Sequence, residues 1–338
     1  MRYKTRTTLI IIVLCALSLF GAQALAVTLP AGSVDQLAAA IAEAGPGGTV
    51  VLAAGVHKIS GTVMVDIPVS IVGEDGAILE SATSPVDAYP YALEAALHIK
   101  GADGVRVQNL SIQAAEGATA NTGILIENAA DVQIVNNRII NHQQGILVQH
   151  GDRAIIKGNA LQIVSDPVYA FPAECGIVIV NGRNVTVQDN WVSGATLGIW
   201  LGSHEGDASG NTTQGGFIGF LLCTPVGYTL SGEPVASEAP ATAWIVYQNI
   251  AVGNSTGYLV MDGANNNFLL NNSAALNGVY DVEMASETSR WGALLPTSSN
   301  NTVVQGSNYE KLKVKVCGVD NQAHGNVSLV DTTVDACY

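Results

Sequence analysis

A short motif that begins with glycine recurs along the chain and limits the folds it can adopt. Four copies are nearly identical: Gly123-Ile-Leu-Ile, Gly145-Ile-Leu-Val, Gly176-Ile-Val-Ile and Gly198-Ile-Trp-Leu. Successive copies lie 22, 31 and 22 residues apart, and less regular copies begin at Gly219 and Gly257. Each copy has the alternation of a short strand that buries one side. One unit cannot bury that side alone, so the units must stack around a continuous core.

A second pattern places asparagine after an alternating apolar strand, as in Val132-x-Ile134-x-Asn136-Asn137. Stacked units bring like residues to the inter-strand distance of about 4.8 Å. The pattern therefore predicts a ladder in which each side-chain amide bonds to the next copy. We interpret the motif glycines, which can adopt backbone conformations that other residues resist, and these asparagines as architecture. The predicted ladder comprises Asn137, Asn159, Asn190, Asn211, Asn249 and Asn272.

Segments at both ends of the repeats indicate caps. Ser33-Val-Asp-Gln36 has the form of a capping box and predicts a helix over residues 33–44, with an apolar face that covers the first unit. Residues 308–338 break the repeat and predict a C-terminal cap. This cap contains a strand with one charged face, which we expect to be an edge protected from aggregation by Lys311, Lys313 and Lys315.

The first 26 residues have the pattern of a secretory signal peptide: a basic start, the apolar run Leu9–Phe20, and the small-residue site Ala24-Leu25-Ala26. The run is too short to span a bilayer comfortably. This predicts a signal peptide at 1–26, a single β-domain at 27–338, a secreted or periplasmic location, and no membrane contact after cleavage.

Four cysteines remain after removal of the predicted signal peptide, and an exported protein can form disulfides. We expect Cys317 and Cys337, which lie close together near the C-terminus, to pair. The sequence leaves the pairing of Cys175 with Cys223 open. None of the four has the CxxC spacing of a zinc site.

The charge balance restricts the partners. The chain has 28 acidic and 14 basic residues, a formal net charge of −14, and three of the basic residues lie in the predicted signal peptide. Such a charge repels nucleic acid, anionic lipid and polyanionic polysaccharide at long range. We therefore expect no nucleic-acid partner, whereas a neutral or cationic saccharide is compatible with the charge.

The glycine-led strands and the asparagine row resemble the repeats of right-handed parallel β-helix proteins of the pectate-lyase-like superfamily. The generic asparagine-rich units are similar to those of the NosD and carbohydrate-binding or sugar-hydrolase group. The resemblance covers nearly the whole mature chain. It implies an all-β fold, a single-stranded right-handed parallel β-helix with an N-terminal capping helix.

The resemblance does not extend to catalytic motifs. The sequence lacks the Asn-Thr-Asp, Asp-Asp and Gly-His-Gly set of polygalacturonases, the Asp-Pro-His element of alginate epimerases and the Arg-x-Pro-x-x-Arg element of pectate lyases. The fold therefore carries no enzyme assignment with it. Whether the protein is an enzyme stays open at this point.

Alternation nevertheless predicts one outward row on the glycine-led strands, a common place for substrate in β-helix polysaccharide enzymes. Trp200 in this row could stack on a sugar ring, and the adjacent His204 and Glu205 could act as acid and base. Carboxylates towards the C-terminal end could ligate Ca²⁺ or, with Glu127, hydrolyse a glycoside; no motif requires another cofactor. The candidate binding groove comprises Trp200, His204, Glu205, Asp262, Asp281 and Glu283.

Four segments are longer than the repeat allows and read as loops on the scaffold. One of them leaves the glycine-led sheet after Cys223 and could form a wall of the groove. The four segments are residues 113–122, 164–175, 224–242 and 285–299.

Three functions remain. The leading hypothesis is an exported carbohydrate-associated binding or scaffold protein. The first alternative is a polysaccharide lyase or glycoside hydrolase with an unrecognised site. The second, which the NosD resemblance implies, is an accessory protein for an exported metalloenzyme.

Overall fold

A computed structural model describes residues 25–82, 94–116, 118, 122–163, 174–224, 226–228, 234–236, 240–285 and 297–330. In these ranges the chain winds through short parallel strands that form three sheets, with one helix near the N-terminal end. Each regular turn of the winding, here called a coil, contributes one strand to each sheet.

The first sheet contains the glycine-led strands: β4 Val63–Val65, β7 Ala95–Lys100, β10 Thr122–Glu127, β13 Gln144–Gln149, the first parts of β16 Cys175–Gln188 and β18 Leu197–Ser209, β20 Ile218–Leu222, β25 Thr256–Val260, β28 Tyr280–Met284, β30 Leu312–Val316 and β32 Val327–Leu329. The second sheet contains β1 Ala26–Leu29, β2 Thr49–Leu52, β5 Ser70–Gly73, β8 Arg106–Gln108, β11 Gln133–Val135, β14 Ile155–Lys157, the second parts of β16 and β18, β23 Thr242–Tyr247, β26 Phe268–Leu270, β29 Thr302–Gln305 and β31 Gln322–Gly325.

The third sheet contains β3 Gly55–Ile59, β6 Ala77–Ser81, β9 Ser111–Ala114, β12 Arg138–Ile140, β15 Ala160–Gln162, β17 Trp191–Ser193, β19 Thr212–Gln214, β24 Ile250–Val252 and β27 Ser273–Ala275. Strands β16 and β18 run through the corner between the first and second sheets without a break. The segment predicted as a loop at 224–242 contains an antiparallel hairpin of β21 Val226–Tyr228 and β22 Pro234–Ala236. Most of the other predicted loops lie outside the described residues.

Inward and outward side chains form two separate apolar clusters. Ile124 and Ile126 belong to the central core, whereas Leu125 between them belongs to a second cluster on the other face of the first sheet. In-register pairing repeats this arrangement in the next coil, where Ile146 lies beside Ile124 and Leu147 beside Leu125. The alternation predicted from sequence is confirmed.

The asparagine ladder is confirmed over all six predicted members. The side-chain amide nitrogen of each asparagine donates to Oδ1 of the next, at 3.1, 3.0, 2.9, 2.9 and 3.1 Å from Asn137 to Asn272. The backbone N–H of each donates to the same Oδ1 atom, at 2.9 or 3.0 Å. The ladder therefore satisfies buried polar groups at the turn between the second and third sheets.

The motif glycines are required for a reason other than the one predicted. None of the six, Gly123 to Gly257, has a positive φ. Instead, a Cβ atom would collide with the next coil and the core: at Gly176 it would lie 2.3 Å from Val192 Cγ1 and 2.4 Å from the carbonyl oxygen of Gly198. Close packing of the coils, and not backbone freedom, explains the glycine.

The N-terminal helix is present but shorter than predicted. Helix α1 spans Leu37–Ala44 and buries Leu37, Ala40, Ile41 and Ala44 against the first coil. The predicted capping box is wrong, because Gln36 occupies the N-cap without a side-chain hydrogen bond. Ser33 Oγ instead contacts His57 Nδ1 at 2.7 Å, which ties the approach to the helix onto the first coil.

The lysine-rich strand is not an edge. Strand β30 pairs with β28 on one side and with β32 on the other, so the described stack continues beyond it. Cys337 lies outside the described residues, and its pairing with Cys317 stays a prediction. No disulfide joins Cys175 and Cys223, which are both buried thiols. No helix in the described residues is long and apolar enough to cross a membrane.

Candidate functional site

The outward row of the first sheet is polar at both ends and apolar in the middle. Parallel register aligns nine side chains along it: His98, Leu125, Leu147, Val178, Trp200, Leu221, Leu259, Glu283 and Lys315. The predicted outward direction of the row is confirmed, but the middle of the row is buried in the second apolar cluster and is not exposed as expected.

Trp200 lies in this buried middle with only 5% of its surface exposed. The neighbouring coils place Val178 and Leu221 on either side of it. Cys223 and Asp262 are also buried here. Burial, and then the nearby charge of Asp262, raise the pKa of the Cys223 thiol far above its usual range. Trp200 therefore packs like a core residue and offers little ring surface to a sugar.

His204 and Glu205 lie on the part of β18 that passes the corner between the first and second sheets. His204 is half-buried and pairs in register with Arg183 of the preceding coil. Glu205 is exposed and has a φ of 53°. These two side chains are the accessible members of the predicted groove on this side, and they lie beyond the strand segment that carries Trp200.

Asp281 and Glu283 are engaged by the lysine-rich strand β30. The backbone N–H of Lys313 donates to Asp281 Oδ2 at 2.8 Å. Lys315 Nζ donates to Glu283 Oε1 at 3.2 Å, in a pair that is largely removed from solvent. Both lysine ammonium groups lie about 5.5 Å from the centre of the Tyr280 ring. Glu283 is therefore already paired with a lysine, whereas Asp281 accepts hydrogen bonds from the uncharged backbone N–H of Lys313 and from the side-chain amide of Asn277.

A compact charged cluster lies at the opposite end of the row. His98 Nε2 lies 2.8 Å from Glu127 Oε2, and Lys100 Nζ lies 3.1 Å from the same oxygen. The two strands that carry these residues, β7 and β10, are adjacent, and their register places Lys100 beside Glu127. His98 is nearly buried, whereas Glu127 is partly exposed and Lys100 is half-exposed.

The environment fixes the protonation states in this cluster. Burial lowers the pKa of His98 and outweighs its hydrogen bond with Glu127, so the imidazole is neutral at pH 7 and donates from Nε2. Partial burial raises the pKa of Glu127, but hydrogen bonds from Lys100 and His98 outweigh it and bring the pKa below its usual value. Glu127 is therefore an ionised acceptor, while Lys100 keeps N–H groups directed to solvent.

The outward alternation predicted for the first sheet applies to these three side chains, but sequence reasoning did not join them into a cluster. The signal was available: Ala96–Lys100 is a glycine-less copy of the motif, and aligning it with Gly123–Glu127 sets Lys100 against Glu127. The described residues include no group of three or more His, Cys, Asp or Glu side chains arranged to hold a metal ion. The Ca²⁺ site suggested by the sequence therefore gains no support from them.

Comparison with solved structures identifies the architecture. An alginate lyase from Paenibacillus sp. str. FPU-7 superposes with a TM-score of 0.58 at 12% identity, covering 90% of this chain and 99% of that one. A family 28 exopolygalacturonase from Yersinia enterocolitica gives 0.57 at 12% identity, covering 90% and 75% of the two chains. The chain is a right-handed parallel β-helix.

Other comparisons agree on the fold of this β-helix. A polygalacturonase from Erwinia carotovora ssp. carotovora superposes with a TM-score of 0.52 at 12% identity, covering 91% of the β-helix and 96% of the enzyme. A family described as periplasmic copper-binding protein (NosD) matches residues 99–241. No curated protein sequence matches the chain. The described residues do not supply the metal-binding cluster that the NosD description would lead one to expect.

Proposed function

We propose that this β-helix is an exported carbohydrate-associated protein that binds a saccharide on the outward face of its first sheet, at the cluster of His98, Lys100 and Glu127. The observation that carries the proposal is the geometry of this cluster. Its members are fixed by mutual hydrogen bonds, yet Lys100 and Glu127 still face solvent. A prearranged donor and acceptor of opposite charge suit the hydroxyl groups of a sugar.

Two comparisons support this proposal. The solved β-helices that superpose include enzymes named for alginate and polygalacturonate and a phage tailspike in complex with a pentasaccharide. The signal-peptide pattern and the periplasmic description of the NosD family support export. The net charge of −14 favours a neutral or cationic saccharide over alginate or pectate for this chain.

Binding without hydrolysis is favoured by the positions of the carboxylates. Glycosidases of both stereochemical classes need two carboxyl groups within about 5–10 Å. Glu127 and Glu283 lie six coils apart on the face, about 29 Å at 4.8 Å per coil. Glu283 is also paired with Lys315, and the ionised Glu127 is a poor general acid.

The groove from Trp200 to Glu283 stays a proposal, with His204 and Glu205 as its accessible contacts.

A glycan array followed by a reducing-end assay on each binder tests this proposal. Replacing Lys100 with Ala, together with Glu127→Gln, should weaken the binding of the best glycan by at least tenfold, and circular dichroism at the assay temperature should show that the variant stays folded. Lys157→Ala is a matched control, because Lys157 forms a comparably exposed ion pair on the second sheet. Wild-type binding by the double variant would refute this site.

The same assay separates the enzyme alternative. Release of reducing ends or of unsaturated sugars by the wild-type protein, lost in the Lys100 and Glu127 variant, would assign a lyase or hydrolase to the cluster. The accessory role is favoured by the match to the NosD family. It predicts binding of a periplasmic metalloenzyme, measured by co-purification, and no affinity for any glycan.

A further inference from the structure

The third sheet presents an uncharged surface on an acidic protein. Its last five strands, β15, β17, β19, β24 and β27, contain no charged residue. The chain as a whole has 42 charged residues, as 28 acidic and 14 basic. Charged side chains on this sheet lie towards its N-terminal end, where Lys58 pairs with Glu80 at 3.2 Å and Arg138 is exposed.

Trp191 lies on the second of these five strands, β17, with 42% of its area exposed. Its neighbours in register are Ala160 in the preceding coil and Thr212 in the following one. Both are small, so the indole rises above them. Large aromatic side chains are costly to leave in water unless a partner covers them. The geometry of Trp191 is therefore that of an open stacking platform.

A row of neutral polar side chains runs beside the platform. The register aligns Gln162, Ser193 and Gln214 in three successive coils, two residues along from the row that holds Trp191. Gln162 and Gln214 are exposed. Each amide offers both donors and an acceptor without a charge.

A cleft with both polar and apolar lining residues continues the platform towards the N-terminal end. Its volume is 590 Å³, and it is lined by Asp75, Asn109, Ser111, Asn136 and Arg138 among others. Ser111, Arg138, Ala160 and Trp191 occupy one row across four successive coils. The cleft and the indole are therefore parts of one track, with Arg138 about 10 Å from Trp191 along the stack.

We propose that this face of the third sheet binds an extended neutral glycan aligned with the stack. One sugar ring stacks on Trp191, its hydroxyl groups bond to Gln162, Ser193 and Gln214, and one end of the glycan enters the cleft at Arg138. The polarised C–H groups of a pyranose face match the negative face of an indole. The coil repeat of about 4.8 Å is close to the length of one sugar unit, so successive coils meet successive sugars.

An uncharged ligand follows from the distribution of charge on the protein. An anionic glycan would meet the net charge of −14 with Arg138 as the basic residue of the cleft, since Lys58 is paired with Glu80, and a cationic glycan would find no carboxylate on the last five strands. This site lies on a different sheet from the cluster of His98, Lys100 and Glu127 and does not depend on binding there.

Calorimetric titration with cellohexaose, maltohexaose, chitohexaose and, as an anionic comparison, hexagalacturonate tests the proposal. At least one neutral hexasaccharide should bind, and Trp191→Ala should weaken it at least tenfold without a change in melting temperature. Phe268→Ala is the matched control, since Phe268 is an aromatic residue of similar exposure, 46%, on the second sheet. It should bind like wild type.

The outcomes separate the two faces. If Lys100→Ala with Glu127→Gln abolishes binding and Trp191→Ala leaves it intact, the third-sheet site is wrong and the first-sheet site stands. The reverse result supports the third-sheet site alone. The proposal is overturned if no neutral hexasaccharide binds. It is also overturned if light scattering shows that the wild-type protein is a dimer and that Trp191→Ala is a monomer, because the partner of this face is then a second copy of the chain.

Discussion

At the scale of single residues, the asparagine ladder joins successive coils through buried polar contacts. Asn190 shows how many hydrogen bonds one ladder residue makes. Its side-chain nitrogen donates to the carbonyl oxygen of Ile156 at 2.8 Å and to Asn211 Oδ1 at 2.9 Å, and its own Oδ1 accepts from Asn159. The residue is 1% exposed, so water cannot replace these partners. One asparagine thus satisfies groups in three coils.

Replacing Asn190 with Leu should therefore lower the free energy of unfolding by about 1–3 kcal/mol, because buried donors and acceptors lose their partners. Urea unfolding followed by circular dichroism measures the change. Asn308→Leu is a suitable control, since Asn308 is exposed and has no positive φ. Equal midpoints for the two variants would contradict a stabilising ladder.

The motif glycine makes a second residue-scale prediction. A Cβ at Gly176 would overlap Val192 and the Gly198 carbonyl, so Gly176→Ala should cost about 1–3 kcal/mol through overpacking and displaced strands. Gly61→Ala provides the comparison, because a Cβ at Gly61 would meet no atom within 4 Å and its φ is not positive. Thermal unfolding should separate the variants clearly; a shift of the same size in both would show that packing around Gly176 does not decide the stability.

At the scale of elements, helix α1 closes one end of the stack. It places Leu37 and Ile41 over the first coil, where apolar core would otherwise meet water. Changing both residues to Ser should uncover this end and lower stability by several kcal/mol, by about 2–5 for each large-to-small change in a core. The exposed strand ends should then promote association.

Light scattering and size-exclusion chromatography of the double variant measure that association. Ala39→Ser with Glu43→Ser is the control, since these helix residues are exposed. A monomeric double variant with wild-type stability would show that the helix neither stabilises the stack nor prevents its association.

The junction of β7 and β10 makes the stability depend on pH. Glu127 has a lowered pKa, so its contribution is present above the unfolded value, about 4.3, and is lost as the pH falls through the folded value. His98 also has a lowered pKa, so the unfolded chain takes up its proton first and stability falls as the pH drops below about 6.5. The two effects have the same sign.

His98→Gln should remove the upper part of this dependence. Melting temperatures recorded from pH 7.5 to 5.5 should fall less in the variant than in the wild type, and both should fall at lower pH. His324→Gln is the control, because His324 is exposed on the last strand of the second sheet. An unchanged slope in His98→Gln would show that burial does not disfavour the charged imidazole.

At the scale of the whole molecule, sequence reasoning reached the architecture because each coil repeats the same physical demand. The glycines recur where a strand packs closely against the next coil, and the asparagines recur at the turn whose buried polar groups they satisfy. It failed where burial depends on partners outside the repeat: Trp200 follows the outward alternation yet is covered. It also missed Trp191, because an exposed aromatic on the third sheet has the same alternation as any other outward residue.

The net charge of the molecule opposes its compactness. Of the described ion pairs, Arg153–Asp131 and Lys157–Asp189 are on the surface, where a pair contributes little, about 0–1 kcal/mol. Repulsion among the excess carboxylates is spread over the whole stack and is not offset by such pairs. Salt shortens the range of this repulsion, from about 30 Å at 0.01 M to about 10 Å at 0.1 M.

Raising sodium chloride from 0.01 to 0.1 M at pH 7.5 should therefore increase the melting temperature of the protein by roughly 1–2 °C. This is the shift that about 1 kcal/mol produces in a chain of 338 residues when the unfolding entropy is about 2.1 cal/mol/K per residue. Near the isoelectric point, 4.6, the same change in salt should have little effect, because the net charge is then small. Differential scanning calorimetry at both pH values measures this. A melting temperature that falls with salt at pH 7.5 would mean that favourable ion pairs, which salt also screens, outweigh the repulsion of the excess carboxylates.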